Sequence, residues 1–546
     1  MTGLAFRIAI ACVFVLAAGA APARASEHCA ARVADAETRF HAARADRPVW
    51  TGPDNAHRYS ALVEAVRGAA SHGLDPADYG FEALRARDPR LASHAAERAA
   101  TRAWLRLACH LDQGRLDPHR FEPDRPARPP NHDLALRLRE ALATDRVIES
   151  LEALAPQDAE YAALRAALAR YEILAGAATD APPDVPAGDA LRPGDKGRRV
   201  EMLRARLRAN GLHAADPGGA PRFDDGLARA VQEFQRQAGL EPDAVVGPLT
   251  LAALNLDPAE RAARIRVNLE RRRWLMRENG GRRIVVNIPA FRLEARSNGA
   301  VERVHDVIVG QPSRSTPAFS APLQRFVINP WWETPFSIAI LDELPSFRRD
   351  PAEVRRLGFQ VVDRTGDIVD PDTIDWNSVS AEAFPYRLRQ APGPLNALGE
   401  IKLLLDAPHG VHLHDTPNRE LFDRERRAFS SGCIRVRDVM KLADWALQDT
   451  PAWPPQRVRK TAEGAQATPG ELAESLPVHI VYWTVVADGE SGVRFLEDLY
   501  GRDGALIAAL EAPARNEEDH EPDSETDRPV CIPYSDGADA DVAGPG

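Results

Sequence analysis

Two hydrophobic periods divide the chain. Through about residue 185, apolar residues recur three and four positions apart, as in "HRYSALVEAVRGAASHGL" and "AERAATRAWLRLACHLDQGRL". This spacing predicts amphipathic helices, separated by stops such as "GLDPADYG". A proline-rich linker, "ATDAPPDVPAGDA", follows. From 190 to 255 the helical period returns in three short pieces. Val200, Leu203 and Leu207 share one face; Ala230, Val231, Phe234 and Gln235 form a second helix; "GLEPDAVVGPLTLAAL" turns into a third. Past residue 260 the period changes to that of strands. "RRIVVNIPAFRLEARSNGAVERVHDVIVG" reads as two strands about an Asn298-Gly299 turn, and "RFVINPWW", "EIKLLLD" and "GVHLHD" as further strands. A segment at about 341–388, with helical "DPAEVRRLGF" and then "FQVVDRTGDIVDPDTIDW", is an insert, either a lid over a substrate or plain elaboration. "DVMKLADWALQD" predicts a helix, and "LPVHIVYWTVVADGESGVRFLEDLYGRD" a hairpin returning to the sheet. The expected fold class is therefore multidomain α+β: a helical scaffold at 26–185, a three-helix unit at 190–255, a β-rich domain with an inserted cap at 260–511, and a disordered acidic tail at 512–546.

Composition adds location and excludes partners. At 546 residues the chain is too long for one core. Its formal net charge of −11 argues against a nucleic-acid partner. Arginine supplies nearly all the positive charge, since only Lys196, Lys402, Lys441 and Lys460 are lysines. At the N-terminus, Arg7 precedes the apolar run "IAIACVFVLAAGAA" and then "APARA", with small residues at Ala23 and Ala25. This is the layout of a secretory signal over residues 1–25, cleaved after Ala25, and the run is short for a membrane span. The mature chain is expected to be exported to the periplasm, soluble, and peripheral to the membrane at most. Export makes disulfides admissible. With Cys433 kept as a free thiol, Cys29 could bridge to Cys109 or to Cys531, or Cys109 could be a plain buried thiol.

The chemistry concentrates in "HLHDTPNRELFDRERRAFSSGCIRV". A strand period of two puts His412 and His414 on one face and Val411 and Leu413 on the other. Pro417 and Asn418 turn the chain, which returns to Ser430-Ser431-Gly432-Cys433-Ile434-Arg435. Gly432 allows close backbone approach. A thiol of ordinary pKa is mostly protonated at neutral pH, so a nucleophilic Cys433 needs a nearby base or positive charge. His414 and Arg435 are the candidates. His409, His412 and His414 also suggest a metal site, the less favoured reading. Trp331 and Trp332 are candidates for the cleft or for the core.

These motifs resemble the L,D-transpeptidases. The match is to the large periplasmic (YcbB-like) branch, which reads L-H-D-T-P and then S-S-G-C-x-R-V; here these stand as Leu413 to Pro417 and Ser430 to Val436. "YRLRQAPGPLNALGEIKLLL" resembles that branch's segment before the histidine strand. Residues 190–255 resemble the three-helix peptidoglycan-binding domain, departing at Met202-Leu203-Arg204 and at Ala244, where a glycine is common. The resemblance implies a cysteine acyl-transferase acting on stem peptides as donor and acceptor. It would join third-position diaminopimelate residues through a thioester and release terminal D-alanine. Cys433 is then the nucleophile and His414 the base. Gly432 and Cys433 N–H groups serve the oxyanion, Ser431 shapes the site, and Arg435 receives a carboxylate or locks the loop. Asp415 orients His414 through its carboxylate or its backbone carbonyl. No cofactor and no metal are implied; other cell-wall synthesis enzymes are candidate partners. An L,D-carboxypeptidase using water, and a wall-binding scaffold with an idle catalytic domain, are the alternatives.

Overall fold

In the computed structural model, residues 27–513 are described apart from 45–46, 92, 126–131, 178–181, 213–220, 239, 276–279, 408–409 and 490–491. The expected signal at 1–25, the tail beyond 513, His409 and Cys531 lie outside the described residues.

The alanine-rich helical period folds as expected. Helices Glu27–Ala42, Ala56–Gly68, His94–Gln113, Leu134–Ala143 and Ala159–Ala177 surround a core containing Trp50, Trp104, Leu105 and Leu138. Cys29 is bonded to Cys109 across two of these helices, with Cα atoms 6.1 Å apart. Buried Glu97 accepts from the N–H groups of Val49, Trp50 and Thr51 at 2.9, 3.0 and 2.6 Å, anchoring a loop that has no strand to bond it.

The three-helix unit consists of Arg198–Ala209, Asp225–Gln237 and Pro248–Asn255, packed through Val200, Leu203, Leu207, Val231 and Phe234. Ala244, at the position where a glycine is common, has a left-handed φ of 61°. An alanine there carries strain that a glycine would not.

Fifteen strands follow among the described residues. The first four are β1 Arg282–Asn287, β2 Arg292–Ser297, β3 Ala300–Gly310 and β4 Phe319–Ile328. The lobe strands are β5 Trp332–Glu333, β6 Phe359–Val362, β7 Ile368–Val369 and β8 Arg387–Gln390. Then come β9 Ile401–Leu405, β10 His412–His414, β11 Ala428–Ser430, β12 Ile434–Val436 and β13 Thr468–Val481. Last are β14 Val485–Asp488 and β15 Gly492–Phe495.

The large sheet has the order β11-β3-β12-β10-β9-β4-β13-β1-β2, and β2 also pairs with β3. The sheet is thereby closed into a barrel, with β11 as a flap on β3. Register shifts between Ala295 and Arg296, between Leu323 and Arg325, and between Glu471 and Leu476 supply the bends that closure needs. Inward residues such as Ile284, Leu293, Phe326, Leu403, Leu413, Ile434 and Val478 fill the interior. The β2–β3 turn is the expected one, with positive φ at both Asn298 and Gly299.

Two expectations need revising. The run after residue 477 is not one hairpin: β13 lies between β1 and β4, and β14–β15 form a separate pair whose Phe495 meets Tyr171 of the scaffold at 5.4 Å. The apolar residues that would have faced the barrel from such a hairpin cover the scaffold instead. The inserted lobe has its own sheet, β5-β8-β6-β7, and its own core of Phe347, Phe359, Trp376 and Leu388, so it reaches beyond 341–388 on either side. Trp332 belongs to that core, against Phe359 at 5.7 Å, whereas Trp331 is exposed beneath the Arg389 guanidinium.

Helix Pro258–Arg273, started by an Asp257/Glu260 capping box, joins the parts. Arg261 lies over Tyr171 of the scaffold, Phe234 of the three-helix unit and Phe495 of the β14–β15 pair, at 5.8, 5.4 and 4.7 Å.

Candidate active site

The pattern "HLH" acquires its meaning from register. Strand β10 lies between β9 and β12, with Leu413 facing Leu403 and Ile434, and His414 facing Lys402 and Arg435. Leu403, Leu413 and Ile434 point into the barrel core. The period of two therefore sends Lys402, His412, His414 and Arg435 to the outer face, and Cys433, one residue before Ile434, goes with them. Within this row His414 stands between two cations.

His414 is buried, at 5% exposure, and its Nδ1–H donates to the Asp415 main-chain carbonyl at 2.6 Å. That bond fixes the tautomer and leaves Nε2 as the proton acceptor. Burial, reinforced by the Arg435 charge, pushes the imidazole down to about 3, so it is neutral at physiological pH. His412 is likewise held down to about 4, by burial and the Lys402 charge. The half-buried Cys433 thiol is pushed up by burial, against the opposing pull of the His412 N–H, Lys402 and Arg435. Its Sγ lies 3.7 Å from the Gly410 carbonyl. The resting pair is thus a neutral thiol and a neutral imidazole.

The loop bearing the thiol is tied from beneath. Ser430 Oγ donates to the Cys433 carbonyl at 2.5 Å and accepts from Gly432 N–H at 3.2 Å. The φ of 113° at Gly432 makes this turn available to glycine alone. Thr316 Oγ1 donates to the Gly432 carbonyl at 2.8 Å and accepts from Gly310 N–H at 2.9 Å. Tyr500 OH donates to the Gly310 carbonyl at 2.6 Å and accepts from Thr316 N–H at 3.2 Å. Gly310 has no room for a side chain, since a Cβ there would meet the Arg314 carbonyl at 2.2 Å.

The expected site residues divide accordingly. Cys433, His414 and Arg435 share one face. Ser431 is exposed at the rim, accepting from Arg314 Nη1 at 2.9 Å, and Arg314 Nη2 bonds Asp342 of the inserted lobe at 2.8 Å. One expectation is corrected, and one open alternative is narrowed. Gly432 N–H is engaged by Ser430 Oγ, because the positive φ turns it inward, which leaves the Cys433 N–H as the donor without a partner among the described residues. The Asp415 carboxylate takes no part at the thiol: it accepts from Glu400 N–H at 3.0 Å and fills the space beside Gly399, so only its carbonyl orients His414. Lys402, Thr316 and Tyr500 escaped the sequence reading. Alternation in "EIKLLLD" puts Lys402 on the face opposite Ile401 and Leu403, but its neighbours depend on pairing. Among the described residues, no three His, Cys, Asp or Glu side chains gather as a metal site requires.

Comparison with known proteins assigns these parts. Residues 281–458 match the family described as "L,D-transpeptidase catalytic domain", 196–254 match "Putative peptidoglycan binding domain", and 35–168 match "Scaffold domain". A Haemophilus influenzae protein named "Putative L,D-transpeptidase" is 36% identical over 226 residues, which are 41% of this chain and 45% of that protein. The alignment thus spans less than half the length of the relative. Solved L,D-transpeptidase structures also align at low similarity. That from Xylanimonas cellulosilytica is 17% identical over 54% of this chain and 99% of the other, with a TM-score of 0.16; that from Stackebrandtia nassauensis is 12% identical over 55% and 96%, with a TM-score of 0.19. At such scores neither bears on the fold. The barrel with its Cys433 face therefore lies in an L,D-transpeptidase catalytic domain, preceded in the chain by a scaffold domain and a peptidoglycan-binding domain.

Proposed function

We propose that the protein is a cysteine-dependent L,D-transpeptidase of the periplasm, of the YcbB-like branch, that cross-links third-position diaminopimelate residues of peptidoglycan. The observation that carries this is the shared outer face of β10 and β12, where His414, its Nδ1 fixed by the Asp415 carbonyl, stands in the row next to Cys433. Among the described residues no helix is long and apolar enough to cross a membrane.

Cys433 Sγ attacks the carbonyl carbon at the L-centre of the third donor residue. Since burial holds the thiol protonated and the imidazole neutral, His414 Nε2 takes the thiol proton as the S–C bond forms, rather than from a preformed ion pair. The oxyanion is met by the Cys433 N–H. The C–N bond then breaks, His414 returns the proton to the leaving nitrogen, and D-alanine departs from a thioester. A side-chain amine of a second stem attacks the thioester, its proton passes through His414, and the C–S bond breaks to restore the thiol. Water in place of the amine gives the carboxypeptidase reading. The three-helix unit holds the enzyme to the polymer, and the lobe, tied through Asp342 and Arg314 to Ser431, bounds one side of the cleft.

Mass spectrometry of disaccharide-tetrapeptide incubated with wild type and with Cys433→Ala tests the reading. Dimers one D-alanine lighter than two donors, absent with the variant, are expected. Shortened monomers alone mean hydrolysis, and no change in either sample overturns the enzyme reading.

A further inference from the structure

Three of the four lysines, Lys196, Lys441 and Lys460, are exposed; the fourth, Lys402, is half-buried on the face of the thiol. Register places it directly across from His414, whose other neighbour in the same row is Arg435. Adjacent strands lie about 4.8 Å apart, so the backbone positions that carry the two cations flank that of His414 at about this spacing on either side. Among the described residues neither the Lys402 nor the Arg435 side chain makes a hydrogen bond or ion pair, and only the more distant Glu420 charge acts on Arg435. Other buried cations among the described residues have carboxylate partners, Arg271 with Asp503 at 2.5 Å, Arg273 with Glu270 at 2.6 Å and Arg115 with Asp78 at 2.9 Å, while Arg261 rests on aromatic rings. Two desolvated cations without a bonded carboxylate, bracketing a neutral histidine, form a place for an anion.

We propose that Lys402, together with Arg435, is the subsite for the donor's carboxylate next to the scissile bond, and that Lys402 thereby sets the enzyme's preference for where a donor peptide ends. The inference rests on the reading of Cys433 as nucleophile for its choice of carboxylate. The row holding the cations is two residues along β12 from the thiol, about 6.6 Å. In a donor tetrapeptide only a nitrogen and one carbon separate the scissile carbonyl from the terminal alanine carboxylate, and side chains as long as lysine and arginine can lean back over this offset to meet it. The side-chain carboxylate of diaminopimelate lies at the far end of a four-carbon chain. A donor one residue longer carries its carboxylate beyond the row, and the cations would face an amide.

The arrangement also couples binding to catalysis. Burial first, and then the charges of Arg435 and Lys402, make His414 a poor proton acceptor. A carboxylate seated between them cancels that field and raises its proton affinity when the donor is in place. The thiol is then activated by the substrate that it is to attack.

Binding to the full-length Cys433→Ala protein tests this without turnover, so an inactive wild type would sink the catalytic reading and leave this comparison standing. The probes are disaccharide-tetrapeptide, the same molecule with its terminal alanine amidated, and the same molecule amidated on the diaminopimelate side chain. The free acid and the diaminopimelate amide are expected to bind alike, and the alanine amide about 10- to 100-fold more weakly. Lys402→Met in the same background should weaken the free acid by a similar factor and erase its advantage over the alanine amide, and Lys402→Arg should keep most of it. The His414 imidazole, followed by NMR, should titrate higher with the free acid bound than with the alanine amide. Equal binding of acid and alanine amide, no binding of any probe, selective loss with the diaminopimelate amide, or a Lys402→Met defect equal for all three would each overturn the proposal.

Discussion

Two regions of this protein bury basic side chains, and they treat them in opposite ways. At the junction of scaffold and barrel, helix Pro258–Arg273 presents Arg271, Arg272 and Arg273 to Asp503, Glu160 and Glu270 at 2.5, 2.7 and 2.6 Å, and Arg273 also donates to Tyr161 OH at 3.0 Å. On the outer face of β9, β10 and β12, Lys402 and Arg435 stand beside a neutral histidine with no carboxylate bonded to either side chain among the described residues. Pairing makes a buried charge structural; withholding the partner keeps its field available for something that arrives. The junction should therefore govern stability, and the barrel face activity.

The largest effect expected is on activity. Cys433→Ala or His414→Ala should lower turnover of disaccharide-tetrapeptide by more than about a thousandfold while leaving the melting temperature within a few degrees of wild type. A variant that lost both together would erase the distinction between the regions.

The converse is expected at the junction. Glu270→Gln leaves Arg273 buried at 0% exposure without its carboxylate, and should cost about 3–5 kcal/mol of stability in denaturant unfolding. Turnover measured well below the new melting temperature should stay within a few-fold. A neutral effect on stability would mean that the junction pairs do no more than the barrel cations.

How far these regions could be read beforehand follows from what is local. The thiol loop was legible because its parts are contiguous, with Gly432 for close backbone approach beside Cys433 and Arg435 two further on, while the positive φ of Gly432 and the Ser430 bond emerged only in the fold. The Asn298-Gly299 turn and the helical periods were legible for the same reason. Barrel closure was not, since β1 pairs in parallel with β13 across most of the domain, and such register is set by packing rather than by spacing. Lys402 was hidden behind this, because its neighbours His414 and Arg435 come from two other strands. Asp415 left two routes open for a different reason. Adjacent to His414 in sequence, its carboxylate was still drawn away by the Glu400 N–H that needed an acceptor.

Acid separates the regions by the pH at which each fails. His414 has a folded pKa near 3, below the ordinary 6.5, so between these values the unfolded chain binds the proton more readily and stability falls as pH falls. By pH 5 this amounts to about 2 kcal/mol. Glu160 is buried, which alone would raise it, but Arg272 and Arg296 bring it down to about 2 from the usual carboxyl range. Its contribution is therefore complete above about pH 5 and lost only as pH falls toward 2. Denaturant midpoints measured from pH 7 to 3 should show His414→Gln flattening the upper part of the decline and Glu160→Gln the lower. The same shape for both variants would refute the assignment of separate windows.

The smallest effect is the sharpest on the comparison, because it has the opposite sign. Lys402 lies half-buried, where desolvation lowers its ammonium, and no carboxylate compensates it. Replacing it with methionine removes a desolvated charge and keeps the apolar stem, so Lys402→Met should be neutral or stabilising by up to about 1 kcal/mol in denaturant unfolding. Arg273→Met, at the junction, should destabilise by several times that amount, since it strands Glu270 in a fully buried place. A Lys402→Met protein less stable than wild type would mean that the lysine holds the sheet together, and the contrast between a paired junction and an unpaired catalytic face would not stand.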